Sequence, residues 1–314
     1  MKLAAVSVDL DEISQYHAIH GLPSPDNAIR QAIHQKALPR LGRLFAEKGV
    51  QATFFVIGAE IGVSAETDER LKGLRKAGHE IANHTLSHPY NLTRLPFDEM
   101  RREVEEGAGR IASLVGRKPI GFRAPGYTVT DEFLDLLRDQ GYRYDSSVFP
   151  CPFYYSAKAA VMAGMRIRGR KSRSILDRPS VLLASTDPYR IGRPYWKKGN
   201  GMAELPIGVS GPLRLPFIGT SVLLSGEWLF DFLATAMMER PFVNLELHGM
   251  DLADAETDGL THLAKHQPDL RLPLEHKERR LAALFDRLKE RGFEFVTLAD
   301  AAERLLPDTS GSPS

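Results

Sequence analysis

Alternation is the feature that most constrains how this chain can fold. Short β-rich runs, LAAVSVDL, ATFFVIG, HEIANH, PIGFRAP, RYDSSVF, SVLLAS, FVNLELHG and FEFVTLAD, are separated by segments with amphipathic helical spacing. Strand and helix in alternation select parallel pairing, with the helices packed outside the sheet. The helical segments carry their own punctuation. AIRQAIHQKALPRLGRLFAEKG ends at Gly49, and Pro39 should kink or split it. SAETDERLKGLRKAG opens at a capping Ser or Thr and stops at Gly78, and PFDEMRREVEEGAGRIASLVG enters at Pro96 and leaves at Gly116. TDEFLDLLRDQG and EHKERRLAALFDRLKERG follow the same grammar. No break in composition divides the 314 residues, so one closed or nearly closed β/α barrel is expected rather than two doubly wound sheets. Residues 150–225, rich in Pro, Gly, Arg and aromatics, read as a long excursion over one barrel face that selects substrate.

Charge removes several classes of function. With 41 Lys and Arg against 40 Asp and Glu, no global field draws the protein to nucleic acid or to a membrane. The single cysteine, Cys151, excludes an intrachain disulfide and a multi-cysteine metal site, and reads as a structural thiol. The start MKLAAVSVDLDE meets acid too early for a secretory leader, so a cytoplasmic protein is expected. GVSGPLRLPFIGTSVLLSGEWLFDFL is interrupted by Arg214, prolines and glycines, which suits core and loop, or peripheral contact with lipid or a partner, better than a membrane span.

Barrel enzymes gather their chemistry at the C-terminal ends of strands. Asp9 and Asp11 sit there one strand period apart and project from one face. His84 and His88 follow another strand at i, i+4 spacing. Alone the pair is a weak signal, but with Asp11 it supplies three ligands and leaves an open position, the donor set of a catalytic zinc-type site. Asp9 is then placed to accept a proton. Arg123, in GFRAPGYT, is either a surface arginine in a turn or a bidentate clamp on Asp9. His248, ending FVNLELH, is either structural or the donor of a proton to a leaving amine.

These residues, in this order, resemble the polysaccharide deacetylase superfamily, the NodB-homology or carbohydrate esterase family 4 group. VDLD is similar to its first motif, HTLSH to its second, RAPGY to its third and LELH to its fifth, over roughly residues 3–302. The resemblance implies an α/β fold, a distorted (β/α)7-type barrel; the even composition makes residues 1–305 a single domain, and PDTSGSPS makes 306–314 a disordered tail. It implies hydrolysis of an amide, usually an N-acetyl group on an amino sugar, that depends on one divalent metal ion, zinc or else cobalt, iron, manganese or nickel. Asp9 matches the general base, Asp11, His84 and His88 the metal ligands, Arg123 the residue orienting the base, and His248 the general acid. Leu10 separates two aspartates that are adjacent in the commonest first motif, as in the branch that includes cyclic-imide and ureide hydrolases and lipid-linked sugar deacylases. The fourth motif is half present: YDSSVFP offers Asp145, with Asp187 and Asp251 as other candidates for the acid that tunes His248.

The expected substrate is therefore a carbohydrate or another amide-bearing small molecule, with a cyclic amide and a catalytically silent glycan-binding protein as the alternatives. His17 and His20 read as pocket lining or as solvated helix residues. Tyr195 and Trp196 read as a sugar platform or as loop packing. The basic run RIRGRKSR, residues 166–173, reads as a solvated loop or a phosphate contact.

Overall fold

The computed structural model describes residues 1–167 and 175–307. Strand β1 (Lys2–Asp9) is the hub, and it is buried on both faces after its first residue, as a strand covered on both sides must be. Along one edge it pairs in parallel with β10 (Phe242–His248), from Leu3 opposite Phe242 to Asp9 opposite His248. Along the other edge its first half meets β11 (Phe293–Val296) and its second half meets β2 (Ala52–Val56). The sheet continues through β3 (Glu80–Asn83), β4 (Gly121–Phe122), β5 (Tyr144–Asp145) and β7 (Lys198–Glu204) to the edge strand β6 (Tyr189–Ile191). All of these pairs are parallel except the β6–β7 hairpin. The sheet curls into a half-barrel of the distorted (β/α)7 type, more open than the closed or nearly closed barrel expected from the alternation, and β8 (Val209–Ser210) pairs with β9 (Leu215–Pro216) in a separate ribbon.

The helices begin and end where their punctuation says. Ser64 caps α3 (Ala65–Lys76), Thr130 caps α5 (Asp131–Asp139), and a left-handed Gly116 closes α4 (Phe97–Val115). The predicted helix over residues 28–49 is split. A π-helical turn, Ile33–Ala37, precedes α2 (Leu38–Glu47), whose first turn holds Pro39, where its missing N–H costs nothing. The buried Glu12 carboxylate ties that turn to the end of β1 by accepting from the His34 N–H at 2.9 Å and from His34 Nδ1 at 2.6 Å. Helices α1 (Ile13–His20), α8 (Glu227–Met238) and α9 (Leu274–Glu290) complete the outer layer with α10 (Leu298–Leu305). Leu41, Phe45, Leu284 and Phe285 are among the side chains that these helices bury against Val6, Val8 and Phe54 of the sheet.

Three more expectations change here. SVLLAS is not a strand: it forms the 3-10 turn Pro179–Leu183, with Leu183 73% exposed, because the run has no neighbouring edge to join. The seat beside β5 is taken instead by β7, KGNGMAE, whose exposed, Gly-rich first half hides the alternation that its buried second half would show. FEFVTLAD stops as a strand at Val296, because the Thr297 side chain accepts from the Asp300 N–H and starts α10. The 150–225 excursion also contains α6 (Pro152–Ile167) and α7 (Gly219–Leu224). Most of the RIRGRKSR run, and the tail from residue 308, lie outside the described residues.

Candidate active site

The C-terminal ends of β1, β3, β4 and β10 converge on one buried cluster. Asp11, just beyond β1, sends Oδ1 to within 3.4 Å of His84 Nε2 and 3.2 Å of His88 Nε2. Two nitrogens and an oxygen about 2.0–2.1 Å from one ion in a tetrahedral site stand about 3.3 Å apart, so this spacing fits a shared cation. The buried Asp11 Oδ1, which faces both rings, has no hydrogen-bond partner of acceptable geometry among the described residues, as suits an oxygen donor to a shared cation. His84 donates from Nδ1 to the Arg123 carbonyl at 2.7 Å, fixing Nε2 as the bare nitrogen. Burial alone would push the Asp11 carboxyl up, but the His88 and His84 rings beside it hold it well below the usual carboxylate range.

The HTLSH loop is built to hold this arrangement. Thr85 and His88 both adopt left-handed backbone, at φ 68° and 60°, an arrangement that costs on the order of 1–3 kcal/mol per residue and persists only where the surroundings impose it. Here α4 imposes it. The Leu86 N–H donates to the Glu103 carbonyl, while Ser87 donates to the Glu103 carboxylate from its N–H at 2.8 Å and its Oγ at 2.6 Å. Gly107 lets the loop approach, since a Cβ there would lie 2.8 Å from the Thr85 carbonyl carbon.

Asp9 has a different environment. Its Oδ1 accepts from Arg123 Nη1 at 2.7 Å, and its Oδ2 stays 3.9 Å from His84 Nε2. Arg123 is fully buried, but it is not the bidentate clamp expected. Its remaining donors go to the Ser146 carbonyl and to the hydroxyls of Ser7 and Ser146, and its plane lies 4.2 Å from the centre of the Phe55 ring. Asp9, Glu246 and His248 also converge closely enough to share an ion, but Arg123 already supplies positive charge there.

His248 faces Asp9 across the β1–β10 ladder with its side chain 28% exposed, the one open member of the cluster. None of the three expected acids meets its ring. Asp145 instead accepts from Ser147 Oγ at 2.8 Å and the Ser147 N–H at 3.0 Å, beside Glu204. Asp187 pairs with Arg240 at 2.6 Å, and Asp251 takes the backbone N–H of His248 at 2.8 Å. The carboxylate that reaches the imidazole is Glu246, with Oε1 2.8 Å from Nδ1. Tyr127 completes the group, donating to Glu246 Oε1 at 3.2 Å with its oxygen 3.4 Å from His248 Nε2. Burial would push His248 down, but the Glu246 charge, aided by Asp9 and Asp11, holds it well above the usual imidazole range. Glu246 was readable in the sequence: E-x-H on a strand puts both side chains on one face, as D-x-D does. The other tempting residues lie elsewhere. Tyr195 is buried, donating to Asp177 Oδ2 at 2.8 Å with Trp196 packed on its ring, and His17 and His20 face the segment after Leu260.

A curled parallel sheet carries at its strand ends a buried Asp-His-His group able to hold a metal ion, with a second acid and a histidine beside it. Residues 27–144 match the family model for polysaccharide deacetylase. A peptidoglycan deacetylase of Helicobacter pylori is 31% identical over 160 residues, 49% of this chain and 52% of that protein. A Mycobacterium smegmatis structure assigned to the polysaccharide deacetylases superposes over 100% of this chain and 95% of its own, with TM-score 0.62 and 18% identity. The Bc1960 peptidoglycan N-acetylglucosamine deacetylase superposes over 95% of this chain and 86% of its own, with TM-score 0.50 and 17% identity. The chain thus carries a polysaccharide deacetylase match over residues 27–144 and shares its fold with those two structures. It spans about half the length, or less, of the curated relatives it matches. Among the described residues no helix is long and apolar enough to cross a membrane.

Proposed function

We propose that the protein is a metal-dependent hydrolase that removes N-acetyl groups from an amino-sugar-containing glycan or glycan precursor. The observation that carries this reading is the pairing of an Asp11-His84-His88 donor set at tetrahedral spacing with an Asp9 that Arg123 holds apart from it. Peptidoglycan deacetylases among the relatives support the amide of an N-acetylated sugar as the bond cleaved. Asp11, His84 and His88 would hold the ion, and their two imidazoles and single carboxylate suit zinc. When bound, a divalent ion supplies Lewis acidity to water and to the amide carbonyl.

The chain's own groups do the rest. Asp9 accepts the proton that attacking water releases, and Arg123 keeps its carboxylate aimed. His248, kept protonated by Glu246, delivers a proton to the departing amine. The expected assay result is release of acetate from N-acetylated peptidoglycan or chitin fragments, abolished by a chelator and restored by zinc. Hydrolysis of a cyclic imide with no acetate from any glycan would overturn the substrate assignment.

Glu246 gives a sharper test of the acid. A proton donor works only below its own pKa, so raising the pKa of His248 extends activity to higher pH. Glu246→Gln removes the charge that raises it, and the alkaline limb of the kcat profile should move to lower pH, with kcat down on the order of 10²-fold. A variant with reduced kcat but an unmoved alkaline limb would show that Glu246 has only a packing role.

A further inference from the structure

We infer that the outward sides of α6, the β8–β9 turn and α8 form a docking surface for an anionic lipid bilayer. On the exterior of a protein the outward side of a helix is normally polar, and α6 has this pattern reversed. Among its described residues every exposed position except Ser156 and Arg166 is apolar, with Phe153, Val161 and Ile167 52%, 63% and 86% exposed. Its polar groups turn inward instead. Lys158 donates from Nζ to the Gly126 carbonyl at 2.8 Å, and the Tyr155 hydroxyl donates to the Asp177 carbonyl at 3.1 Å. The Tyr154 ring packs on Tyr127, the partner of Glu246.

The apolar surface continues past the helix. β9 packs on α6 and β8 packs on α8, so the turn joining the two strands, with Leu213 65% exposed, lies between the helices. On α8, Trp228 and Phe232 stand side by side with their rings stacked at 6.0 Å, and Trp228 is 79% exposed. Among the described residues, nine of the twelve exposed large hydrophobic side chains fall between Phe153 and Phe232, too concentrated for the scattered single exposures of an ordinary surface.

Charge selects the occupant. No Asp or Glu occurs from Pro152 to Leu176, and Arg166 is followed in the sequence by Arg168, Arg170, Lys171 and Arg173. The acids next to Trp228 are neutralised, Glu227 by Arg280 at 2.7 Å and Asp231 by Arg287 at 2.5 Å. An apolar helical stripe that leads into a basic run suits an anionic membrane surface, which takes up the apolar side chains at the acyl boundary and attracts the cations to its headgroups. A neutral glycan would leave that charge unanswered. A second copy related by a two-fold axis would bring two basic runs to one interface, where they repel. A bilayer held on this face is separated from Tyr127, and so from Glu246 and His248, by the thickness of a single helix.

Co-sedimentation of the full-length protein with phosphatidylcholine vesicles, made with and without phosphatidylglycerol, tests this independently of any enzymatic activity. The wild type is expected to pellet with the phosphatidylglycerol vesicles and to be released as salt is raised. Phe153→Ser and Trp228→Ser, both at exposed positions that leave the fold intact by circular dichroism, should each weaken partitioning about tenfold, the effect of withdrawing one large apolar side chain. Arg166→Glu should weaken binding to the phosphatidylglycerol vesicles by about tenfold or more. Wild-type protein that stays in the supernatant or pellets equally with both vesicle types, or serine variants that pellet as the wild type does, would overturn the proposal. So would light scattering that shows a dimer split by the same substitutions with no vesicle binding, which assigns the face to a second copy.

Discussion

Asp9→Asn is expected to lose essentially all turnover, on the order of 10³-fold or more, while the protein still binds its metal. The substitution keeps the side chain's shape, and its carbonyl oxygen can still accept from Arg123 Nη1, so the 2.7 Å contact and the packing around it survive. What disappears is the capacity to take a proton, which for a positioned base is worth roughly 10²–10⁴-fold. Metal content is the control. Asp9 Oδ2 stands 3.9 Å from His84 Nε2, outside the 3.2–3.4 Å spacing that links Asp11 to the two histidines, so the donor set does not depend on it. His84→Ala should by contrast lose both metal and activity, since it removes one of three donors. Elemental analysis beside an acetate-release assay separates the two outcomes. Asp9→Asn protein that keeps its ion and hydrolyses at near wild-type rate would show that the base lies elsewhere.

How much of this could be read from the sequence depended on whether a residue's partner lay nearby in the chain or far away. Asp9 and Asp11 were legible because a two-residue period fixes their common face, and the HTLSH pair because its members lie within one turn of chain. The helix limits at Ser64, Gly116 and Thr130 were legible for the same reason: a cap is a local hydrogen bond. Strand β7 was not, because its pattern is set by β5, a partner more than fifty residues earlier, and only its last residues are buried. The Arg123 clamp was half legible. Its target was readable, but its second arm goes to Ser7 and Ser146, hydroxyls that no pattern marks. Glu246 was overlooked although its signal was present. LELH was read as an apolar strand ending in one functional residue, and attention went to acids elsewhere in the chain that turn out to serve Ser147, Arg240 and a backbone N–H.

Arg123→Ala should destabilise the protein by about 3–5 kcal/mol, the cost typical of removing one partner from a buried ion pair. Arg123 has no solvent-accessible surface, and its guanidinium donates to Asp9, Ser7 and both polar groups of Ser146. With the guanidinium gone, the Asp9 carboxylate stays buried without its cation, and three acceptors lose a donor with no water at hand. Arg123→Lys keeps the charge but cannot reproduce a planar fork directed at four oxygens, so it should recover only part of the loss. Against a total stability of about 5–15 kcal/mol the alanine variant should unfold at a much lower urea concentration. Coupling distinguishes the buried pair from simple loss of volume. In an Arg123→Met background, where the ring of Phe55 keeps an apolar neighbour, Asp9→Asn should be far less harmful to stability than in the wild type, or even favourable, because it removes the orphaned charge. Additive losses in that cycle would mean that Arg123 stabilises the strand ends by filling space, and that its contact with Asp9 serves aim alone.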